Sequence, residues 1–267
     1  MPELPEVEAY RQLAERGLGR RIRRVRAPDD WYLKTGLDRA TLAGALRRRS
    51  FSAARRIGKL LLLDTAGRDS HSAEGPTLGL RFGMTGRLLV DGKAGVDHLL
   101  YSSPREEERW DRLVVEFEDG GGLRVRDPRR LGGVELDPDE GRLGPDAASV
   151  TPAQLRAALG HSTAPLKARL MDQTRLAGAG NLITDEALWR AGLLPSRPAG
   201  SLSAAELRRL HRGLRSAIDD LMARGGSHAG ELLPERRAGG RCPRDGRELL
   251  RATVGGRTSW WCPKHQR

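Results

Sequence analysis

Apolar positions along this chain of 267 residues follow two different periods, and the change between them divides it. Residues 1–24 open with Glu3, Glu6 and Glu8 in what reads as a first helical turn, where carboxylates face the positive end of the helix dipole. From Ile22 to Leu136 short apolar runs alternate with Gly, Pro and Asp, as at Lys59 to Leu63, Arg87 to Val90, Leu113 to Phe117 and Leu123 to Val125. That spacing predicts a β-rich domain, a sandwich or barrel. The polar stretch 65–77 reads as a surface loop, and residues 141–150 read as a linker. Beyond it the period is helical. Thr151-Pro152-Ala153-Gln154 and Ser203-Ala204-Ala205-Glu206 both have capping-box spacing, the first with proline at the opening helical position. Leu207, Leu210, Leu214, Ile218 and Leu221 mark one face of a long helix. Two further helices, over 164–173 and 182–191, flank the glycine turn Gly178-Ala179-Gly180-Asn181. The expectation is an α+β chain: a β-sandwich over 1–140, a helical region over 150–226 and a hairpin over 238–267. No internal repeat is evident.

Charge narrows the partner. The 47 Lys and Arg against 35 Asp and Glu leave a formal charge of +12, with a pI near 10.8. That is the footprint of a polyanion-binding protein, and nucleic acid is the natural candidate. No apolar run approaches the roughly 18 residues of a membrane span, and acids stand where a signal peptide would be basic. Only two cysteines occur, which excludes a disulfide framework. A cytoplasmic monomer, not associated with a membrane, is the expectation.

Pro2 carries the candidate chemistry. Loss of Met1 exposes a secondary α-amine, which titrates near 7.7–8.0, well below a lysine. Such an amine attacks an aldehyde-level sugar carbon to give an iminium that is cationic without further protonation, an electron sink for breaking C–N and C–O bonds. Glu3, beside it, is a proton carrier. Gly178 and Gly180 flank a helix start with Asn181 as its cap, where free backbone N–H groups suit a phosphate. Asp172 and Glu186 read as mid-helix structural acids.

Met1 to Glu8 resembles the opening of the formamidopyrimidine-DNA glycosylase family, which includes the endonuclease VIII enzymes. The likeness continues through Lys59, Phe82-Gly83-Met84-Thr85-Gly86-Arg87, Asp127-Pro128-Arg129-Arg130-Leu131-Gly132 and Leu143-Gly144-Pro145. It is most specific over Leu166-Lys167, Met171-Asp172-Gln173, Gly178 to Asn181, Asp185 to Leu188 and Pro195. The resemblance implies a DNA-repair enzyme of base excision, a bifunctional glycosylase and abasic-site lyase with a helix-two-turn-helix region and a zinc-finger-like hairpin. It implies catalytic roles for Pro2, Glu3 and Lys59, and an orienting role for Glu6. By the same likeness Lys59, Asn181 and Arg257 bind DNA phosphate. Met84, Arg129 and Leu131 match the three side chains that fill the gap left by an extruded base.

Three departures stand out. Leu131 replaces the phenylalanine common in the formamidopyrimidine branch, and leucine wedges but stacks poorly. After Gly225-Gly226 the chain reaches Cys242 quickly, so the loop that covers an oxidised purine is shortened or missing. The family's two Cys-x-x-Cys pairs here read Cys242-Pro243-Arg244-Asp245 and Cys262-Pro263-Lys264-His265. Two thiolates, a carboxylate and an imidazole can close a tetrahedral zinc site; the alternative is a metal-free finger packed on Trp260 and Trp261. The resemblance therefore implies damaged double-stranded DNA as partner, one structural zinc ion, weak excision of 8-oxoguanine, and better activity on ring-opened purines, oxidised pyrimidines or abasic sites. A non-catalytic damage-binding protein of the same fold and a sequence-specific regulator are the rivals.

Overall fold

The computed structural model describes residues 2–67, 74–96, 99, 105 and 107–267; the middle of the 65–77 loop and Met1 lie outside the described residues. By their contacts the described residues form two compact units, one of Pro2 and residues within 6–140, the other of residues 3–5 and 141–267.

Among its described residues the first unit takes in most of helix α1 (Leu4–Ala14), short helix α2 (Arg39–Leu46) and nine strands. Strands β1 (Ile22–Arg26), β5 (Arg87–Val90), β6 (Lys93–Ala94), β7 (Asp111–Phe117) and β8 (Gly122–Arg126) make an antiparallel sheet in the order β1-β7-β8-β5-β6. Strands β2 (Phe51–Ile57), β3 (Leu60–Thr65), β4 (Leu78–Arg81) and β9 (Gly133–Leu136) make a second antiparallel sheet in that order. One apolar cluster joins both: Leu61, Leu63, Leu78 and Leu80 from the four-stranded sheet meet Leu88, Leu113, Val115 and Val125 from the five-stranded one. The alternation of period two puts these side chains inward, so the unit is a sandwich. Val7, Tyr10 and Ala14, at helical spacing on α1, close one part of the core. Tyr10 packs its ring against Phe82 at a tilt of 54°, centroids 4.5 Å apart, and donates its hydroxyl to the Gly86 carbonyl at 3.1 Å, so α1 steadies the loop after β4.

The second unit holds α3 (Pro152–Leu159), α4 (Leu166–Met171), α5 (Asn181–Ala191) and α6 (Ala204–Ala223), then the hairpin of β10 (Leu250–Val254) and β11 (Arg257–Trp261). Both capping boxes form as their spacing predicts, on α3 and α6. The expected face of α6 is buried throughout, and its Gly213 allows close approach to α5: an added Cβ would stand 2.8 Å from the Ala187 carbonyl oxygen. Residues 144–150, which read as a linker, are packed against the helices. Ala147 donates to the Ala177 carbonyl, and Ala147 and Val150 enter the helical core. The hydrophobic side chains there were the sign that this stretch is not a free tether. No described helix is long and apolar enough to cross a membrane.

Candidate functional site

Pro2 and Glu3 are both buried ahead of α1. The Glu3 carboxylate lies at the head of α5, where one oxygen accepts the Leu182 N–H at 2.9 Å and the other the Ile183 N–H at 3.1 Å. Those are the second and third residues of the helix, whose N–H groups have no partner within it. The cap itself is Gly180, and Asn181 is the first helical residue, not the cap. The reason is steric: a Cβ on Gly180 would fall 2.2 Å from the Glu3 carboxyl carbon. A side-chain cap at 180 and the Glu3 carboxylate cannot share this space. Two of the N–H groups expected to be free for phosphate are thus already engaged. The buried Asn181 Oδ1, an acceptor, has no hydrogen-bond partner among the described residues, and only the amide nitrogen of this side chain can donate to a phosphate.

In the first unit Lys59 is not on a strand. It is the second residue of the two-residue turn joining β2 to β3, after Gly58, whose φ is +57°. Glycine at the first turn position matches the twist of a hairpin without Cβ strain. The turn is braced from below: Arg56 donates Nη1 to the Gly58 carbonyl at 2.9 Å and pairs Nε with Glu8 of α1 at 3.0 Å. Glu6 is buried on the same helix.

Met84 and the pair Arg129 and Leu131 come from separate loops that one side chain unites. Buried Asp127 accepts the Thr85 hydroxyl at 2.6 Å and the Arg129 N–H at 3.2 Å through Oδ1, and the Gly132 N–H at 2.9 Å through Oδ2. Gly83 lies against the same loop, since a Cβ there would meet the Leu131 carbonyl carbon at 2.4 Å. Arg129 is exposed and Leu131 is 51% exposed, while Met84 is half-buried.

Arg257 opens β11 behind the Gly255-Gly256 turn and is exposed, with no side-chain partner among the described residues. Beneath it lies an ionic cluster absent from the sequence reading. Lys167 and Asp185, both fully buried, pair at 2.7 Å, and Arg236 pairs with the other Asp185 oxygen at 2.8 Å. Lys167 also donates to the Thr258 carbonyl at 2.8 Å, next to Arg257. Burial pulls the Lys167 ammonium below its ordinary value, against the opposing pull of Asp185. No local signal in the sequence marks this pair. Asp172 follows α4 as its cap residue and accepts from Thr174, so it is not a mid-helix acid. Glu186 is buried and bonded to Arg190 and the Leu232 N–H.

The last cluster is compact. Ligand atoms of Cys242, Asp245, Cys262 and His265 lie within 4.8 Å of one another. His265 Nδ1 is 3.0 Å from Asp245 Oδ2 and 3.8 Å from Cys242 Sγ, and Cys262 Sγ is 3.3 Å from Asp245 Oδ2. Tetrahedral edges of about 3.3–3.8 Å follow from zinc–sulfur and zinc–nitrogen bonds of about 2.3 and 2.0–2.1 Å, so the donor set and spacing fit such an ion. Trp189 donates Nε1 to Cys242 Sγ at 3.3 Å, and its carbonyl faces His265 Nε2 at 3.3 Å. That leaves Nδ1 as the ring atom turned to the cluster. Contact with His265, followed by the Arg247 N–H, holds the Asp245 carboxyl well below the usual range. Trp260 joins Trp189, Leu232 and Leu249 in the small apolar cluster around the two cysteines.

Comparison with known proteins agrees along the whole chain. The formamidopyrimidine-DNA glycosylase N-terminal domain matches residues 1–134 and that family's H2TH domain matches 143–230. The formamidopyrimidine-DNA glycosylase of Symbiobacterium thermophilum is 34% identical over all of this chain and 89% of its own; that of Paracoccus denitrificans is 35% identical over 98% and 99%. Those alignments extend over 293 and 294 positions, so the relatives carry residues that this chain lacks. Among solved structures, Lactococcus lactis Fpg with an abasic-site-containing DNA superposes with a TM-score of 0.80 at 25% identity. MutM with a carbocyclic 8-oxo-G-containing DNA does so at 0.81 and 27%; each covers both chains completely. With both domain models and full-length relatives in agreement, the chain belongs to the formamidopyrimidine-DNA glycosylase family of bifunctional DNA glycosylase and abasic-site lyases.

Proposed function

We propose that this protein binds damaged duplex DNA and excises the lesion base through a Schiff base on Pro2, then cuts the strand. The observation that carries the reading is the buried carboxylate of Glu3, held by two N–H bonds directly behind the residue that bears the amine. Each carboxylate oxygen has a second lone pair, so those bonds leave room for a proton.

With Met1 removed, the Pro2 nitrogen attacks C1′ of the damaged nucleotide while the C1′–N bond breaks, and the base departs with that electron pair and takes up a proton. Ring opening of the aminal gives the iminium, with Glu3 moving the proton to the sugar oxygen. The iminium acidifies C2′–H; its loss expels the 3′ phosphate by β-elimination, and a second proton loss expels the 5′ phosphate by δ-elimination. Lys59 in its braced turn, the amide nitrogen of Asn181 and the unpaired Arg257 are donors that suit the flanking phosphates. Met84, Arg129 and Leu131, joined through Asp127, suit the gap left by the extruded base. Cys242, Asp245, Cys262 and His265 would hold one zinc ion, which would cross-link the two knuckles of the finger and take no part in the chemistry.

Only 18 residues, 224–241, separate α6 from Cys242, and they hold two 3₁₀ turns at Ser227–Ala229 and Leu233–Glu235 with Leu232 fully buried. So short and packed a connection favours substrates that need no purine cover: ring-opened purines, oxidised pyrimidines and abasic sites over 8-oxoguanine. Borohydride trapping on an abasic-site duplex tests the chemistry. A covalent adduct with Met1-free protein, lost when the terminus is acetylated, supports it; no adduct from such protein moves the assignment to a non-catalytic damage binder. Efficient cleavage of 8-oxoguanine opposite cytosine would overturn the lesion preference.

A further inference from the structure

We infer that Trp31 is a further DNA-contacting side chain, an aromatic platform that works beside Leu131 where the duplex is opened. Trp31 is 68% exposed and Leu131 51%, the two most exposed large hydrophobic side chains among the described residues. They sit on two segments laced together at three points. Asp29 pairs with Arg130 through both oxygens at 2.6 and 2.7 Å. The Tyr32 hydroxyl fills the space that a Cβ on Gly132 would need, 2.2 Å away. Lys34 donates its N–H to the Val134 carbonyl at 2.9 Å, with Leu33 and Val134 in a parallel bridge. Trp31 therefore falls between the same two ties as Leu131. Both point their apolar surface outward from a base that Asp127 and Tyr32 hold rigid.

Nothing in the fold of that loop needs an indole outside. The ring is not spent on the core, and Lys34, 5.1 Å from its centre and bonded to its carbonyl at 2.6 Å, adds a cation to it. The acids nearby are already engaged, Asp29 by Arg130 and Asp30 by Arg39, which leaves Lys34 and Arg129 to face a polyanion. An exposed ring next to an unpaired positive surface fits a nucleic-acid base better than an apolar protein partner, since every base offers a π-face. Leucine at 131 can hold a gap open but offers no such face; Trp31 supplies it from the adjoining segment.

The inference rests on the damaged-DNA reading, and the test separates the two. Binding of wild-type, Trp31→Phe and Trp31→Ala proteins is measured on a duplex with a reduced abasic analogue, flanked by 2-aminopurine, and on its undamaged counterpart. Base stacking of about 1–3 kcal/mol predicts that Trp31→Ala weakens analogue binding roughly 5- to 150-fold and relieves quenching of the 2-aminopurine, with Trp31→Phe retaining most of both. An unchanged melting temperature, expected for an exposed side chain, confirms that the weaker binding comes from the missing ring and not from unfolding. If wild-type protein prefers the analogue duplex and Trp31→Ala matches it in affinity and quenching, this inference is wrong and the function stands. If wild-type protein shows no preference for the analogue, the function itself fails. Self-association of the wild-type protein that Trp31→Ala abolishes would overturn the inference in favour of a second copy of the chain.

Discussion

The Glu3 carboxylate and the Leu182 N–H, 179 positions apart in sequence, are bonded at 2.9 Å, so the residue after the proposed nucleophile Pro2 also satisfies the N-terminus of α5. One side chain thus answers to two demands. As a carboxylate it offsets the positive end of the helix and satisfies two N–H groups there. Glu3→Gln keeps the shape but turns one amide NH₂ toward an N–H donor. The expected outcome is a loss of about 1–2 kcal/mol in stability along with loss of base excision. Thermal melts beside single-turnover cleavage check this; full stability with dead chemistry would mean that the capping bonds contribute nothing.

A second relay serves Lys59. Glu8 pairs with Arg56, Arg56 holds the Gly58 carbonyl, and the Gly58-Lys59 turn presents the lysine. Glu8 and Arg56 are positioning residues in this arrangement. Arg56→Lys loses the second donor that reaches Gly58, and an effect of about 1 kcal/mol, near 5-fold in affinity for an abasic duplex, is expected. The decisive measurement is a double-mutant cycle, because Arg56→Lys should add little in a Lys59→Ala background. Additive losses would show that Arg56 acts by another route.

The pattern of apolar positions made the frame of the molecule legible, and for physical reasons. Leu207 to Leu221 repeat at helical spacing because one face of α6 must be buried, and Thr151 and Ser203 cap by local geometry alone. Motifs brought Pro2, Met84, Arg129 and the Cys/Asp/Cys/His set into view. Contacts distant in sequence were not legible. Nothing local distinguishes Asp185 as the buried partner of Lys167, or Glu3 as the cap that Asn181 was expected to be. Lys59 was read with the strand that follows it, although Gly58 before it was the turn signal. Asp127 sat within a recognised motif, yet its union of two loops depends on Thr85, 42 residues away.

The Lys167–Asp185–Arg236 cluster predicts a large penalty from a small change. Asp185→Asn leaves two buried cations without their counter-charge, and about 3–5 kcal/mol should be lost. Lys167→Met combined with Asp185→Asn removes one of those cations and should recover part of it. Denaturant titration of the wild type and both variants decides the point. A single substitution costing under 1 kcal/mol would show that the cluster relaxes to admit water.

The metal cluster predicts a stoichiometry. Protein freed of loosely bound metal should retain one equivalent of zinc, and Cys262→Ser or His265→Ala should lose it together with several degrees of melting temperature. Cobalt substitution gives a second readout, since thiolate ligands produce a sulfur-to-metal absorption that oxygen and nitrogen ligands do not. Far less than one equivalent in the intact protein, with no change on adding chelator, would leave the packing of Trp189, Trp260 and Leu249 as what holds the hairpin.

Acid should loosen the start of α6 in a defined window. Glu206 closes the capping box of Ser203 and pairs with Arg197, with Nη2 at 3.0 Å. Arg197 first, then the Ser203 N–H, bring its carboxyl down from an ordinary 4.5 to about 2. A carboxyl with a lowered folded value stabilises the fold at any pH above its unfolded value. That contribution shrinks as pH falls below 4.5 and is gone below about 2. Other acids titrate in the same range, so the difference between wild type and Glu206→Gln isolates this one. Urea unfolding from pH 7 to 2 should show Glu206→Gln less stable by a constant amount down to about pH 5, with the gap closing toward pH 2. A gap that persists unchanged to pH 2 would mean that Arg197 and the cap bind the neutral acid as well as the carboxylate.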